Sequence, residues 1–226
     1  MEKRQYELCL EILRRLNRTG ILKNIVLIGS WCIPFYKEYF RTKGYLSSIK
    51  TRDIDFLVPI PSKIQQKVDV PELLKDLGFV VGFKGPHGHI RLEHPRLVIE
   101  FLVPEKGKGS DKPYPLPKLG LNAIPLRFLN FLSDNTIEVK VEDFYLTLPH
   151  PANFSLHKLI VFQRRIREDK AVKDRNIAIR ILGALINRGE KNIVSQTFDS
   201  IPQRWQKRIV KGLEEAKERG ILNILK

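Results

Sequence analysis

The chain has 226 residues, of which 42% are hydrophobic and 29% are charged, and its formal net charge is +15. This length suffices for one large domain or two small ones that share a core, and the composition is that of an ordinary globular protein. The longest apolar runs, such as residues 25–35, are too short and too interrupted to span a bilayer, and the N-terminus lacks a signal-peptide core. We therefore expect a cytoplasmic protein with no membrane partner.

The positive charge is concentrated toward the C-terminus. Residues 150–226 carry 17 Lys and Arg against 8 Asp and Glu. A basic surface attracts polyanions, which makes nucleic acid a natural partner. The alternative is a solvated basic surface of the kind that is common in thermophile-like sequences.

Helix and strand patterns alternate at the start of the chain. Apolar residues at helical spacing predict a helix over 3–18, and four consecutive apolar residues predict a buried strand over 25–28. Pro34 fits the first turn of a helix that ends near residue 40. Residues 41–52 indicate an ordered polar loop, and a second strand follows over 53–58.

Short strands dominate the middle of the chain, and helices dominate its end. A short helix is predicted over 71–77 and a long exposed loop over 104–120. Strand patterns occupy residues 79–84, 88–93, 97–103, 136–141 and 144–148. Helical patterns occupy residues 152–168, 170–188 and 202–219. The predicted fold class is α+β, a mixed β-sheet with flanking helices followed by a C-terminal helical domain. The predicted domains are 1–149, which is α+β, and 150–226, which is basic and helical.

Two aspartates in the second strand are the first candidate site residues. Asp53 and Asp55 point the same way, because side chains alternate faces along a strand, and their backbones are ~6.5–7 Å apart. Two such carboxylates can converge on one hard cation or a close pair, as phosphoryl transfer requires. Asp-X-Asp also occurs in loops and at strand ends. However, two unpaired carboxylates beside an apolar strand repel each other unless a cation accompanies them.

A turn with Gly29 and Ser30 follows the first strand. Glycine allows a sharp turn and a close approach to a ligand, and the amides that open the next helix point at an anion. Ser30 adds a hydroxyl donor. The alternative is an ordinary helix N-cap.

A third carboxylate, Glu100, lies in the apolar run of residues 96–104. An unpaired acid in such a strand is expensive to bury. If this strand lies beside that of Asp53 and Asp55, Glu100 completes a cluster as a metal ligand or general base. The alternative is an edge-strand glutamate that faces water.

In this order, Gly29-Ser30, Asp53-X-Asp55 and Glu100 resemble the polymerase-beta-like nucleotidyltransferase superfamily in its minimal bacterial form. The resemblance extends over residues 21–180 and includes toxin-like members of the type IV abortive-infection class. It implies a nucleotidyltransferase-type mixed β-sheet, with residues 1–149 as the nucleotidyltransferase-like catalytic domain. It also implies that Gly29 and Ser30 hold nucleotide phosphates and that Asp53 and Asp55 bind magnesium. Two features depart from the family: Gly29 and Asp53 are 24 positions apart, longer than in the smallest members, and the third acid is Glu instead of the commoner Asp.

The resemblance also covers two helical motifs, residues 156–160 and 170–174. It implies that Lys158 contacts the triphosphate and that Asp174 matches a further acid of the toxin-like members. For Asp174, an ion pair with Lys170 at i−4 is the plain alternative.

Residues 158–180 form a basic helical stretch with eight Lys and Arg against three Asp and Glu, a density suited to phosphates. The candidate nucleic-acid-binding residues are Arg164, Arg165, Lys170 and Lys173. A solvated helix face is the alternative for these four.

The remaining metal-ligating residue types offer weaker signals. His87, His89 and His94 lie among turn residues, and a hairpin that carries polar residues is favoured over a metal site. Cys9 and Cys32 lack metal-ligand spacing, which indicates two buried free thiols.

The sequence therefore predicts an enzyme that transfers a nucleoside monophosphate from an NTP to an acceptor hydroxyl with Mg²⁺ or Mn²⁺ as cofactor. The charge favours RNA, including tRNA, as the acceptor, since cationic aminoglycosides would favour an acidic groove. A cognate regulatory protein is a further expected partner. The alternatives are a non-catalytic nucleic-acid or partner-binding module with this fold, and a phosphohydrolase.

Overall fold

The computed structural model describes residues 3–41, 51–105, 112–164 and 168–225. It consists of two compact units, a sheet unit (Met1–Pro149) and a helical unit (His150–Lys226). The predicted loop residues 42–50 lie outside the described residues, as do residues 106–111 and 165–167.

The sheet unit opens with the amphipathic helix α1 (Lys3–Arg18). Its buried residues Cys9, Ile12, Leu13 and Leu16 recur at three- and four-residue spacing, as a helix with one face against a core requires. The helix is followed by Gly20, whose positive φ of 77° suits the end of a helix. The other helices of this unit are α2 (Cys32–Phe40), α3 (Val70–Lys75) and α4 (Asn130–Ser133).

Seven strands form a mixed sheet, and two more form a separate hairpin, among the residues described. The strands are β1 (Val26–Ile28), β2 (Asp53–Leu57), β3 (Val80–Lys84), β4 (His89–Glu93), β5 (Val98–Pro104), β6 (Tyr114–Leu116), β7 (Leu121–Leu126), β8 (Thr136–Val141) and β9 (Phe144–Pro149). The order along the main sheet is β1-β2-β5-β4-β3. The strands β2 and β5 are parallel, whereas β1 pairs antiparallel with β2 and β4 pairs antiparallel with both β3 and β5.

One face of the two central strands forms part of the core. Ile54 and Phe56 of β2 are fully buried, as are Ile99 and Phe101 of β5 to within 2%. The rings of Phe56 and Phe101 lie 5.5 Å apart between centroids. Since side chains alternate along a strand, the intervening residues of β2 and β5 face the other side of the sheet.

The predicted long loop over 104–120 is wrong for its second half. Residues 114–116 form β6, residues 117–119 form a 3-10 turn, and β7 follows. Here β7 pairs in parallel with the end of β5 and antiparallel with β6. Non-local pairing outweighs the Pro- and Lys-rich composition that indicated a loop.

The helical unit contains more breaks than the periodicity predicts. Its helices are α5 (Pro151–Val161), α6 (Glu168–Asn187), α7 (Lys191–Asp199), α8 (Gln203–Glu215) and α9 (Arg219–Leu225). His150 caps α5, because its Nδ1 accepts a hydrogen bond from the Ala152 amide at 3.1 Å. The predicted helix over 202–219 divides at Lys217, whose φ of 60° ends the helical backbone.

The α+β fold class with a helical C-terminal region is confirmed. Cys9 and Cys32 are buried thiols, as predicted, and Cys32 Sγ donates to the Leu27 carbonyl oxygen at 3.2 Å. Over the described ranges, no helix has both the length and the apolar character needed to cross a membrane.

Candidate active site

Asp53 and Asp55 both lie on β2, in the centre of the sheet. Their neighbours Ile54 and Phe56 are fully buried, so the alternation of the strand places both carboxylates on the opposite face. Asp53 is exposed and Asp55 is half-buried. The strand therefore presents two acids on one face of the sheet.

The Gly-Ser turn lies directly beside Asp55. In the register of β1 and β2, Ile28 is the partner of Asp55, and Gly29 follows with a φ of 72°. A Cβ atom on Gly29 would lie 2.5 Å from Asp55 Oδ2. Residues 29–31 form a 3-10 turn that leads into α2. The left-handed backbone favours glycine here, and any Cβ would displace the Asp55 carboxylate.

Glu100 lies beside Asp55 on the neighbouring strand. The parallel register of β2 and β5 makes Asp55 and Glu100 partners, while Asp53 is the partner of Val98. The three carboxylates that the sequence singles out therefore occupy one sheet face, and Glu100 does not lie on an edge strand. The strand of Glu100 therefore lies beside the strand of Asp53 and Asp55, as the assignment of Glu100 as a third carboxylate requires.

Glu100 forms an ion pair that the sequence analysis missed. Lys84 Nζ donates to Glu100 Oε1 at 2.8 Å, and the side chains are 51% and 13% exposed respectively. Arg91 is the β4 partner of Glu100, but its Nε donates to Glu93 Oε1 at 2.6 Å. The alternation of side chains along β3 and β4 places Lys84 and Arg91 on the polar face, and the sequence alone shows this alternation. Their closeness to Glu100, however, depends on the order of the strands in the sheet.

The donor set on this face consists of oxygen atoms, which hard divalent cations prefer. Within the described ranges, no group of three or more His, Cys, Asp or Glu side chains is arranged to hold a metal ion. The metal-binding roles of Asp53, Asp55 and Glu100 remain predictions.

The histidines considered as a metal site lie on or near a hairpin. β3 and β4 pair antiparallel on either side of the turn that contains His87, and His89 begins β4. His94 Nδ1 accepts from the Arg96 amide at 3.0 Å. Burial lowers the pKa of His94, and the nearby charges of Arg96 and Arg52 lower it further.

The two predicted nucleotide-binding residues of the helical unit contact each other. Lys158 of α5 donates to Asp174 Oδ1 of α6 at 2.5 Å, and both side chains are 8% exposed. The Lys158 ammonium also lies 5.1 Å from the centre of the Phe154 ring. The pair links two helices through a buried charge contact, and the roles of both residues toward a nucleotide stay predictions.

The predicted nucleic-acid-binding residues fall near this pair along the chain. Lys170 is exposed and Lys173 is half-buried on α6. Burial lowers the pKa of Lys173, and the Lys158 charge adds to this effect. Arg165 and the side chain of Arg164 lie outside the described part of the chain.

Comparison with known proteins places the chain in a family. No sequence among the curated proteins matches it. Among solved structures, it is similar at 12% identity to the antibiotic-resistance factor ANT(2'')-Ia in solution (TM-score 0.46, 85% of this chain and 95% of that chain). It is also similar at 12% identity to a nucleotidyltransferase-like antigen from Paracoccidioides brasiliensis (TM-score 0.40, 84% and 91%). A family model described as nucleotidyltransferase matches residues 7–200, so the chain belongs to the nucleotidyltransferase family. It is a transferase whose reaction is nucleotidyl transfer.

Proposed function

We propose that the protein transfers a nucleoside monophosphate from an NTP to an acceptor hydroxyl of RNA, such as a tRNA end, in a reaction that depends on a divalent metal ion. The observation that chiefly supports this function is the position of Gly29, Asp55 and Glu100 on three neighbouring strands of the sheet. Gly29 follows the end of β1, Asp55 lies on β2 and Glu100 lies on β5. The turn of Gly29 abuts the Asp55 carboxylate, and Glu100 is the register partner of Asp55. A phosphate at the turn would thus lie beside the carboxylates.

The oxygen donors of the carboxylates are of the chemical type that magnesium and manganese ions prefer. Asp55 and Glu100 supply oxygen donors from one row of the sheet, and Asp53 supplies another from the same face. Asp53, Asp55 and Glu100 would hold the metal. When bound, such an ion neutralises phosphate charge and lowers the pKa of an attacking hydroxyl.

The protein's own residues would position both reactants. The amides at Gly29 and Ser30, which open the turn into α2, would donate to phosphate oxygens, and the Ser30 hydroxyl would add a further donor. Glu100 would accept the proton of the acceptor hydroxyl as it attacks the α-phosphorus, while pyrophosphate leaves. In the helical unit, Lys158 and Asp174 are the proposed nucleotide contacts.

The charge distribution supports an anionic acceptor. Of the net charge of +15, a large share comes from residues 150–226, with 17 Lys and Arg against 8 Asp and Glu. The proposed RNA contacts there are Arg164, Arg165, Lys170 and Lys173. A basic helical unit would raise the local concentration of RNA near the enzyme.

We also propose that the protein belongs to the polymerase-beta-like superfamily and has a toxin-like role of the type IV abortive-infection kind. A cognate regulatory protein would be its partner, and its location would be cytoplasmic. These assignments rest on the order of Gly29-Ser30, Asp53-X-Asp55 and Glu100, and on the helical motifs.

The test follows the α-phosphate of each of the four NTPs. The protein is incubated with Mg²⁺, total RNA and an α-³²P-labelled NTP, and label is followed in RNA and in protein. Released pyrophosphate contains the unlabelled β- and γ-phosphates, so a coupled pyrophosphatase assay measures pyrophosphate and orthophosphate separately. We expect labelled RNA with the wild type and a loss of about 10²-fold or more with Asp55→Asn, because this change removes a charged metal ligand while preserving shape. Asp143→Asn, in the exposed turn between β8 and β9, is the matched control and should retain activity.

Other outcomes would contradict specific parts of the proposal. Label in protein but not RNA would overturn the acceptor. Orthophosphate without pyrophosphate would indicate a phosphohydrolase instead. Binding of NTP without any product, unchanged by Asp55→Asn, would indicate a non-catalytic module.

A further inference from the structure

The Lys84–Glu100 ion pair places a protein cation on one of the three proposed metal ligands. Nζ of Lys84 is 2.8 Å from Oε1 of Glu100. Glu100 is 13% exposed, and in the described part of the chain its cationic contact is Lys84, since Arg91 is engaged with Glu93. An acid of such low exposure needs a positive partner, and Lys84 supplies it.

Lys84 lies where its ammonium group can leave Glu100 and be replaced by another cation. Lys84 ends β3, which is an edge strand of the sheet, and its side chain is 51% exposed. A lysine ammonium is a compact charge on a flexible stem, so it can move from Glu100 into water without disturbing the backbone. Glu100 itself lies in the interior of the sheet, on β5 between β2 and β4.

We propose that Lys84 is a positioning residue that holds Glu100 while the site contains no metal and competes with the divalent cation for that carboxylate. The inference rests on the proposed function, in which Glu100 is the third metal ligand. A cation that binds Glu100 must displace the ammonium or tolerate its repulsion a few ångströms away. Lys84 thereby weakens metal binding to the empty site and limits charge repulsion among Asp53, Asp55 and Glu100.

The experiment measures binding of Mn²⁺ alone, without nucleotide. Free Mn²⁺ is followed by its electron paramagnetic resonance signal during titration of the wild type, Lys84→Met, Lys84→Arg, Lys75→Met and Asp55→Asn. We expect Lys84→Met to bind Mn²⁺ about 3- to 10-fold more tightly, which corresponds to the loss of one partly exposed ion pair. Lys84→Arg should stay close to the wild type because it retains the charge.

The matched control removes the same charge from a different ion pair. Lys75 contacts Glu72 at 3.2 Å on α3, and both side chains are about 70% exposed. Lys75→Met therefore changes the net charge equally without touching the carboxylates of the sheet. A comparable gain in affinity with this variant would reduce the effect to net charge and overturn the inference.

A double-mutant cycle tests whether Lys84 acts through Glu100. In a Glu100→Gln background the carboxylate charge is absent, so adding Lys84→Met should change Mn²⁺ affinity by less than about twofold. A full effect in that background would show that Lys84 does not act through Glu100. Circular dichroism and thermal melting of every variant separate these outcomes from misfolding, which the exposure of Lys84 makes a small risk.

The outcomes also separate the inference from the proposed function. If the wild type binds Mn²⁺ and Asp55→Asn weakens it, but Lys84→Met has no effect or weakens it, the role of Lys84 fails and the metal site stands. If neither the wild type nor Lys84→Met binds Mn²⁺, the role of Lys84 fails, and the labelling assay decides separately on the proposed function, since substrate phosphates commonly complete such a metal site.

Discussion

At the scale of single residues, Gly29 is the position where backbone and chemistry depend on each other most directly. Its φ of 72° is costly for other residues, and a Cβ would lie 2.5 Å from Asp55 Oδ2. We expect Gly29→Ala to lower the free energy of unfolding by about 1–3 kcal/mol through strain in the left-handed region and displacement of Asp55. We also expect it to reduce nucleotidyl transfer strongly, because the displaced carboxylate is a proposed metal ligand. Denaturant unfolding and the labelling assay measure the two effects.

Gly189 provides the control for backbone strain alone. It has a φ of 85°, and a Cβ there would meet nothing within 4 Å. Gly189→Ala should therefore cause a stability loss of about 1 kcal/mol with normal labelling. Equal losses of activity in both variants would mean that the contact of Gly29 with Asp55 has no catalytic importance.

At the scale of elements, the buried pair of Lys158 and Asp174 joins α5 to α6. Both side chains are 8% exposed, so removal of either partner leaves a charge with little access to water. We expect Lys158→Met to destabilise the protein by about 3–5 kcal/mol, whereas Lys158→Met with Asp174→Leu should recover much of that loss. Chemical denaturation monitored by circular dichroism gives these values.

A loss of activity in Lys158 variants can come from lost stability or from a lost contact with the triphosphate, and a control separates the two. Lys211→Met is the control, because Lys211 is 71% exposed and its contact with Glu215 is 4.0 Å long. It should change stability by no more than about 0.5 kcal/mol. If the double variant is stable and still labels RNA normally, the proposed contact of Lys158 with the triphosphate is wrong and the pair is structural.

At the scale of the whole molecule, the central strands could be predicted because their signals are local. The runs that became β2 and β5 are apolar with acids at fixed positions, and their alternation places Asp53, Asp55 and Glu100 relative to the core. The order of these strands and their register are not local, since α3, β3 and β4 lie between them along the chain. Lys84 was missed for this reason, as its meeting with Glu100 requires β3, β4 and β5 to lie in sequence across the sheet.

The difference between local and non-local signals also explains where the predicted secondary structure was wrong. β6, which contains Pro115, lies inside the loop predicted over 104–120, whereas β7, which contains Pro125, follows that range and carried no strand prediction. Pairing of β7 with β5 stabilises these strands, and no local pattern reveals it. In the helical unit the breaks between helices depend on single backbone positions such as Lys217, so periodicity merged elements that the structure separates.

The net charge of +15 belongs to the whole chain, and its effect on RNA binding can be measured through single lysines. If the helical unit binds RNA through phosphates, the logarithm of the association constant should fall linearly with the logarithm of salt concentration, by about 0.7 per phosphate contact for single strands. Fluorescence anisotropy with a labelled RNA oligonucleotide between about 50 and 200 mM salt measures this slope. Lys170→Gln, at an exposed position of α6, should reduce its magnitude by about 0.7 if that residue contacts a phosphate, whereas Lys140→Gln, exposed on β8, should leave it unchanged. A slope near zero would refute RNA as the anionic partner, and equal effects of the two substitutions would mean that diffuse charge, and not a defined surface of the helical unit, attracts it.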